Sequence, residues 1–381
     1  MPIPLNDILN ELRAAPRLSG TSACDAVARS LAKRFEGIGC ATEVQDYTFV
    51  GWSVPEPPKV VNLVNGERLP ARAVTWCGGI KGVDVEGTVV PRGRMNFWGL
   101  GTEREFSRWA ILDGEVEHRV VYLIGNFDDH LVLPYPMEDV AYICMEQRDL
   151  QRLSDEQAMI RLTTRMELRF GARSANVIAT RAGRTANEIV VCAHHDTVYD
   201  DQNGLYDNGG ACAVLLLLAE HLSAVETDHT ILFLSTGGEE FNLIGARTYL
   251  NRRERERSLE RMRACITLDG ITQPPRVVHV RCTEDFDDIV KETLDAHRGR
   301  QYSYEVDWDI DRDLGCLDAR AFEEKGISAF FYSPSDPKRV DEDNEPIAEN
   351  LRTNALFVRD LILRTDRMFA SRRGIPERRQ T

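Results

Sequence analysis

No two cysteines in this chain stand in a CxxC spacing, although nine are scattered from Cys24 to Cys316. An odd, dispersed set of this kind argues against a disulfide framework and a thiolate zinc site, and reads as reduced core residues. Long apolar runs are missing too. No segment approaches the roughly 18 uninterrupted apolar residues of a membrane-spanning helix, and Met1-Pro2-Ile3-Pro4-Leu5-Asn6-Asp7 lacks the basic and apolar stretches of an export signal. These absences lead us to expect a cytoplasmic protein with no membrane partner. Positive charge is also scarce, with 47 basic against 61 acidic residues and a formal charge of -14. That balance disfavours nucleic acid and anionic surfaces and favours a peptide or small-molecule substrate. What remains is ordinary globular material: 381 residues, 43% hydrophobic and 28% charged, enough for a large core and two domains.

Hydrophobic spacing predicts helices over 5–14 and 22–38, the second opened by a Thr21-Ser22 cap and carrying Val27, Leu31 and Phe35 at i, i+4. A strand is expected at 41–50. From Gly51 to about Ala158 the texture changes to short strand patterns punctuated by Pro and Gly, such as Gly87-Thr88-Val89-Val90. We read 1–50 as the first part of a catalytic domain, 51–165 as an inserted β-rich domain, and 166–381 as the rest of the catalytic domain. In that last part apolar strands (176–179, 189–193, 230–234, 264–268, 327–332) alternate with helices (211–223 and one from about Pro346). Such a pattern implies an α/β fold whose mostly parallel, mixed central sheet is flanked by helices. The charge-dense run Arg252–Arg263 reads as a solvated helix face.

Four acidic motifs fall at the ends of these apolar runs: His194-His195-Asp196, Asp207-Asn208-Gly209-Gly210, Gly237-Gly238-Glu239-Glu240 and Leu268-Asp269-Gly270. An α/β sheet would deliver them to one rim, where open sheets bind ligands. Period-two geometry points His194 and Asp196 the same way and His195 to the other face, so Asp196 is placed to hold the second ring nitrogen of a ligand His194. Asp207 has two readings, a helix N-cap or a carboxylate that bridges metal ions. Adjacent Glu239 and Glu240 are costly unless neutralised, and suit one metal ligand and one general base. Alone, Asp269 would pass for a turn residue. Oxygen and nitrogen donors of this kind suit zinc, manganese or cobalt.

Taken in order, the motifs resemble the co-catalytic zinc aminopeptidase family, which includes leucyl-type aminopeptidases, glutamate carboxypeptidase-like proteins and glutaminyl cyclases. The resemblance covers about 174–375 and the N-terminal helices, and the insert looks like a protease-associated domain. It implies one or two divalent ions, zinc first, held by His194, Asp207, Glu240 and Asp269. It also implies Glu239 as general base, Asp196 behind His194, and a cis peptide at Asp207-Asn208. One family element is missing. Where relatives carry a late ligand histidine, this chain reads Phe331-Tyr332-Ser333-Pro334-Ser335-Asp336, and the usual Ser-Asp-His stretch is Leu317-Asp318-Ala319. Later histidines, His279 and His297, read as structural or exposed. Asp336 or Asp318 could substitute, or the site could use one metal.

The expected activity is hydrolysis of a C–N bond, with an aminopeptidase acting on peptides as the first reading. The alternatives are an atypical, single-metal amidohydrolase or aminohydrolase for a small aromatic amide or amine, and a non-catalytic scaffold. The acidic run Glu305–Asp311 could attract a free amine or simply lie on an exposed edge strand. Homo-oligomerisation through the insert is an expectation from the family and from size.

Overall fold

The computed structural model describes residues 4–77, 82–99, 102–126, 139–198, 204–275, 277–297, 307–315, 317–335 and 347–371. The chain opens with α1 (Leu5–Leu12) and α2 (Ser22–Ile38). Thr21 caps α2 by accepting the Cys24 N–H, and Gly39 ends it at φ 98, a left-handed value that glycine adopts freely. Val27, Leu31 and Phe35 face the core, and Phe35 stacks on Phe233 with centroids 5.9 Å apart. β1 (Ala41–Asn62) then leads into a separate compact unit, Thr48–Ala172.

That unit holds β2 (Arg68–Leu69), β3 (Arg72–Ala73), β4 (Gly82–Gly99), β5 (Thr102–Asp113), β6 (Val116–Gly125), β7 (Ala141–Met145), α3 (Gln147–Asp155) and the first part of β8 (Met159–Arg181). Its strands run in the order β8-β4-β5-β6-β7-β3, antiparallel except for β6 and β7. The Pro- and Gly-rich texture suggests short strands, yet β4 is 18 residues long. Gly87 does not break it. A Cβ there would lie 2.2 Å from the Leu112 carbonyl oxygen, so the glycine lets β5 close upon β4.

The other unit, Met1–Tyr47 with Arg173–Thr381, contains the end of β8 and β9 (Glu188–His194), α4 (Gly210–His221), β10 (Thr230–Thr236), α5 (Ile244–Arg255), β11 (Met262–Leu268), β12 (Val277–Cys282), α6 (Asp287–His297), β13 (Asp307–Asp311), α7 (Asp318–Glu323), β14 (Ser328–Ser335) and α8 (Ile347–Ser371). Its strand order is β13-β12-β14-β11-β9-β10-β8, with β10, β9, β11 and β14 mutually parallel, β8 antiparallel to β10, β12 antiparallel to β14, and β13 parallel to β12. The sheet is therefore the mixed, helix-flanked one the sequence implies. On β9, Ile189, Val191 and Ala193 face the core under α1, α2, α4 and α8, while Val190 and Cys192 face α5 and α7. All of α4 from Gly210 to Ala219 is buried, so this helix is covered on every side.

The run Arg252–Arg263 departs from expectation. It leaves α5, forms a 3-10 turn at Leu259–Arg261 and enters β11. Within it Arg253 turns inward to Glu188, where Nη2 donates to both carboxylate oxygens at 2.9 and 2.7 Å and this charge-assisted pairing offsets its desolvation. Among the described residues no helix is long and apolar enough to cross a membrane.

Candidate metal centre

Register fixes the rim. His194 ends β9 opposite Thr236 of β10, and Leu268 of β11 pairs with Tyr332 of β14, so three parallel strands finish side by side with their next residues projecting from one edge. His194 is buried there. Its Nδ1 lies 3.2 Å from the Asp196 backbone oxygen and 3.5 Å from Asp196 Oδ1, while its Nε2 faces Asp207 Oδ1 at 3.1 Å, Asp269 Oδ2 at 3.6 Å and Glu239 Oε2 at 3.9 Å. Asp196 Oδ1 also accepts the Glu239 backbone N–H at 3.2 Å. One buried carboxylate thus stands behind both the histidine and the turn that carries the glutamates.

Asp207 comes from a turn that starts at Gly204 and precedes α4. The N-cap position of α4 is held by Gly209, two residues further on, so Asp207 does not occupy the cap. The Asp207–Asn208 peptide is cis, and Asn208 Nδ2 donates to the Leu268 carbonyl at 2.9 Å, tying this turn to the strand that ends at Asp269. Glu239 and Glu240 sit in the turn after β10, which Gly238 enters at φ 77.

Two sets of donor atoms each gather within 4.8 Å: His194, Glu239 and Asp269, and His194, Asp207 and Glu240. Burial first, then the neighbouring carboxylates, pushes Glu239 and Glu240 well above the usual carboxylate range and raises Asp269. Burial opposes protonation of His194, but Glu239, Asp196, Asp207 and Asp269 together hold its pKa well above the ordinary imidazole value. Glu240 Oε1 and Asp196 Oδ2 are buried with no hydrogen-bond partner. Crowded acidic oxygens around one imidazole, with donor capacity unmet, fit a divalent cation of the zinc, manganese or cobalt type.

His195 behaves oppositely. It points away, its Nδ1 lies 2.9 Å from Ser235 Oγ, and burial pulls its pKa down to about 4. Asp318 lies beneath the rim and does not join either donor set. Its Oδ2 accepts from Thr236 Oγ1 at 2.5 Å and from Cys192 Sγ at 3.5 Å, and burial pushes it up to about 6. Asp336 falls outside the described residues. His279 is exposed on β12, and His297 is buried at the end of α6 with Nε2 3.1 Å from Asp360. Of the acidic run 305–311, residues 307–311 form edge strand β13. Spacing offers no sign of Asp318 bonding to Thr236, or of the Tyr47 hydroxyl donating to the Gly237 carbonyl, because each links segments far apart in sequence.

Residues 176–356 match the profile of peptidase family M28. Over those residues, just under half of its length, the chain is similar to that family. Leucine aminopeptidase 2 of Arthroderma otae is 23% identical over 230 residues, 59% of this chain and 44% of that protein. The alkaline phosphatase isozyme conversion protein of Escherichia coli is 34% identical over 91 residues, 20% of this chain and 26% of that protein. The chain spans less than half the length of these curated relatives. Among solved structures, a peptidase M28 precursor from Shewanella amazonensis superposes with a TM-score of 0.70 at 16% identity, over 95% of this chain and 92% of that one. A zinc aminopeptidase from Bacillus subtilis gives a TM-score of 0.65 at 18% identity, over 95% of each chain. These likenesses establish the M28 fold.

Proposed function

We propose that the protein is a metal-dependent aminopeptidase in which His194, Asp207, Glu240 and Asp269 hold zinc, Glu239 is the general base and Asp196 orients His194. The observation that carries this reading is the convergence of four acidic side chains from three turns on one buried imidazole. Zinc would supply a Lewis acid for the scissile carbonyl and its attacking water. Glu239, already inclined to take a proton by its burial, accepts one from that water and passes it to the departing amine. Asp196 fixes both partners, facing His194 Nδ1 with one oxygen that also accepts the Glu239 N–H. Surplus carboxylate oxygen at the rim suits the ammonium end of a peptide, as the aminopeptidase names of the relatives suggest.

Both donor sets share His194, and one Nε2 serves one ion. That sharing favours a single ion. Metal analysis of the purified protein, with aminoacyl anilides and aryl amides assayed with zinc, manganese or cobalt, tests the reading. Stoichiometric metal with aminoacyl anilide turnover supports it. Turnover of aryl amides alone would favour the small-amide alternative, and absence of bound metal would favour a scaffold.

A further inference from the structure

No sequence motif singles out Arg17, yet its side chain is fully buried. A guanidinium withdrawn from water is costly unless its donors find acceptors. Here they reach the backbone of three separate segments: Nη1 donates to Leu12 O at the end of α1, Nε to His195 O at 2.7 Å, and Nη2 to Gly204 O at 2.8 Å. The main chain of Arg17 is clamped as well, its N–H donating to Thr197 Oγ1 at 2.9 Å and its carbonyl accepting the Thr197 N–H at 3.2 Å. His195 directly follows His194. Gly204 opens the turn that presents Asp207, and its carbonyl also accepts the Gly209 N–H at 2.9 Å. At φ 56, a Cβ on Gly204 would lie 2.2 Å from Thr197 Cγ2 and 3.1 Å from Arg17 Nη2, so the turn rests directly on this pair.

We propose that Arg17 is a positioning residue for the metal centre: its fork fixes the strand end carrying His194 against the turn carrying Asp207, whose facing atoms stand 3.1 Å apart. The proposal rests on the metallohydrolase reading. The planar fork sends donors in fixed directions, which a lysine ammonium cannot reproduce. Its charge also lies close enough to Asp196 and Asp207 to feel both, which moderates repulsion within the carboxylate cluster.

The test compares the full-length wild type with Arg17→Lys, Arg17→Met and Thr197→Val. For each, zinc affinity is measured by competition with a chromophoric chelator, the visible spectrum of the cobalt-loaded protein is recorded, and kcat, KM and melting temperature are determined. Arg17→Lys keeps the charge and loses the fork, so zinc should bind about tenfold or more weakly. Its cobalt spectrum should change, and kcat should fall with KM little altered. Arg17→Met should lose at least as much, and Thr197→Val less, in the same direction. An Arg17→Lys protein that melts lower yet binds zinc within about twofold of wild type, with an unchanged cobalt spectrum, overturns the proposal and leaves Arg17 as packing. If neither Arg17 variant folds, Thr197→Val decides, and wild-type affinity and spectrum there overturn it equally. Wild type that binds no divalent ion sinks the metallohydrolase reading itself, an outcome read before any variant is compared.

Discussion

At the N-terminal end of β9, Glu188 meets Arg253 through two bonds of 2.9 and 2.7 Å, and Arg253 is further engaged by Ser258 and the Tyr249 hydroxyl. At the C-terminal end of the same strand, His194 is ringed by Asp196, Asp207, Glu239 and Asp269, with buried oxygens of Asp196 and Glu240 left without partners. Both ends bury ionisable groups beside the same sheet. One is closed by opposite charge and donors in matched number, and it is structure. The other has acceptors in excess, and its composition becomes reasonable only with a cation added. Buried charge therefore marks function where the donors and acceptors fail to balance, and burial alone says little.

The comparison breaks most visibly in activity. Glu239→Gln should lower kcat by roughly 10³-fold or more while metal content stays at the wild-type level; near wild-type turnover removes Glu239 from the role of base. Next in size, Asp207→Ala should leave the purified protein without stoichiometric metal, as measured by atomic emission, while the fold persists. At the closed end the effect should be on stability instead. Arg253→Met leaves Glu188 buried and unpaired and should cost about 3 kcal/mol in denaturant unfolding, the lower part of the range because both side chains keep a tenth of their surface. Its zinc affinity should equal that of wild type, and a loss of metal there would erase the distinction between the two ends.

A third buried charge sharpens the contrast at smaller scale. Asp366 accepts the backbone N–H groups of Asp228 and His229 at 3.0 and 2.7 Å and lies 2.8 Å from His229 Nδ1. Burial alone would raise its pKa, but these partners hold it below the ordinary aspartate value. A depressed folded pKa contributes stability above the unfolded value of about 3.9 and loses it as pH falls through the folded value. Asp366→Asn should thus cost about 1–2 kcal/mol at neutral pH, with the wild-type and variant stability curves converging as pH falls through the depressed folded-state value.

Much of the M28 fold was legible because its signals are local. Apolar runs such as 189–193 and 230–234 announce buried strands, and the i, i+4 spacing of α2 announces its packed face. The acidic motifs could be placed on one rim because each terminates such a run. What stayed hidden depends on distant partners. Arg253 looks like one more charge in a polar run until Glu188, 65 residues earlier, is beside it. Arg17 lies 178 residues from the His195 carbonyl it holds, and no periodicity encodes that contact. The insert misled for a different reason: glycine and proline normally punctuate, but Gly87 serves a close strand approach within a long ladder.

Helix α4 carries a consequence for how the chain is made. Its buried stretch from Gly210 to Ala219 has no face suited to water, and part of its cover is α8, which begins 126 residues after α4 ends. At translation speeds of about 5–20 residues per second, roughly 6–25 s pass before that cover can be synthesised. Through that interval the nascent polypeptide displays a greasy segment to the cell, so expression yield should depend on chaperone supply and elongation tempo.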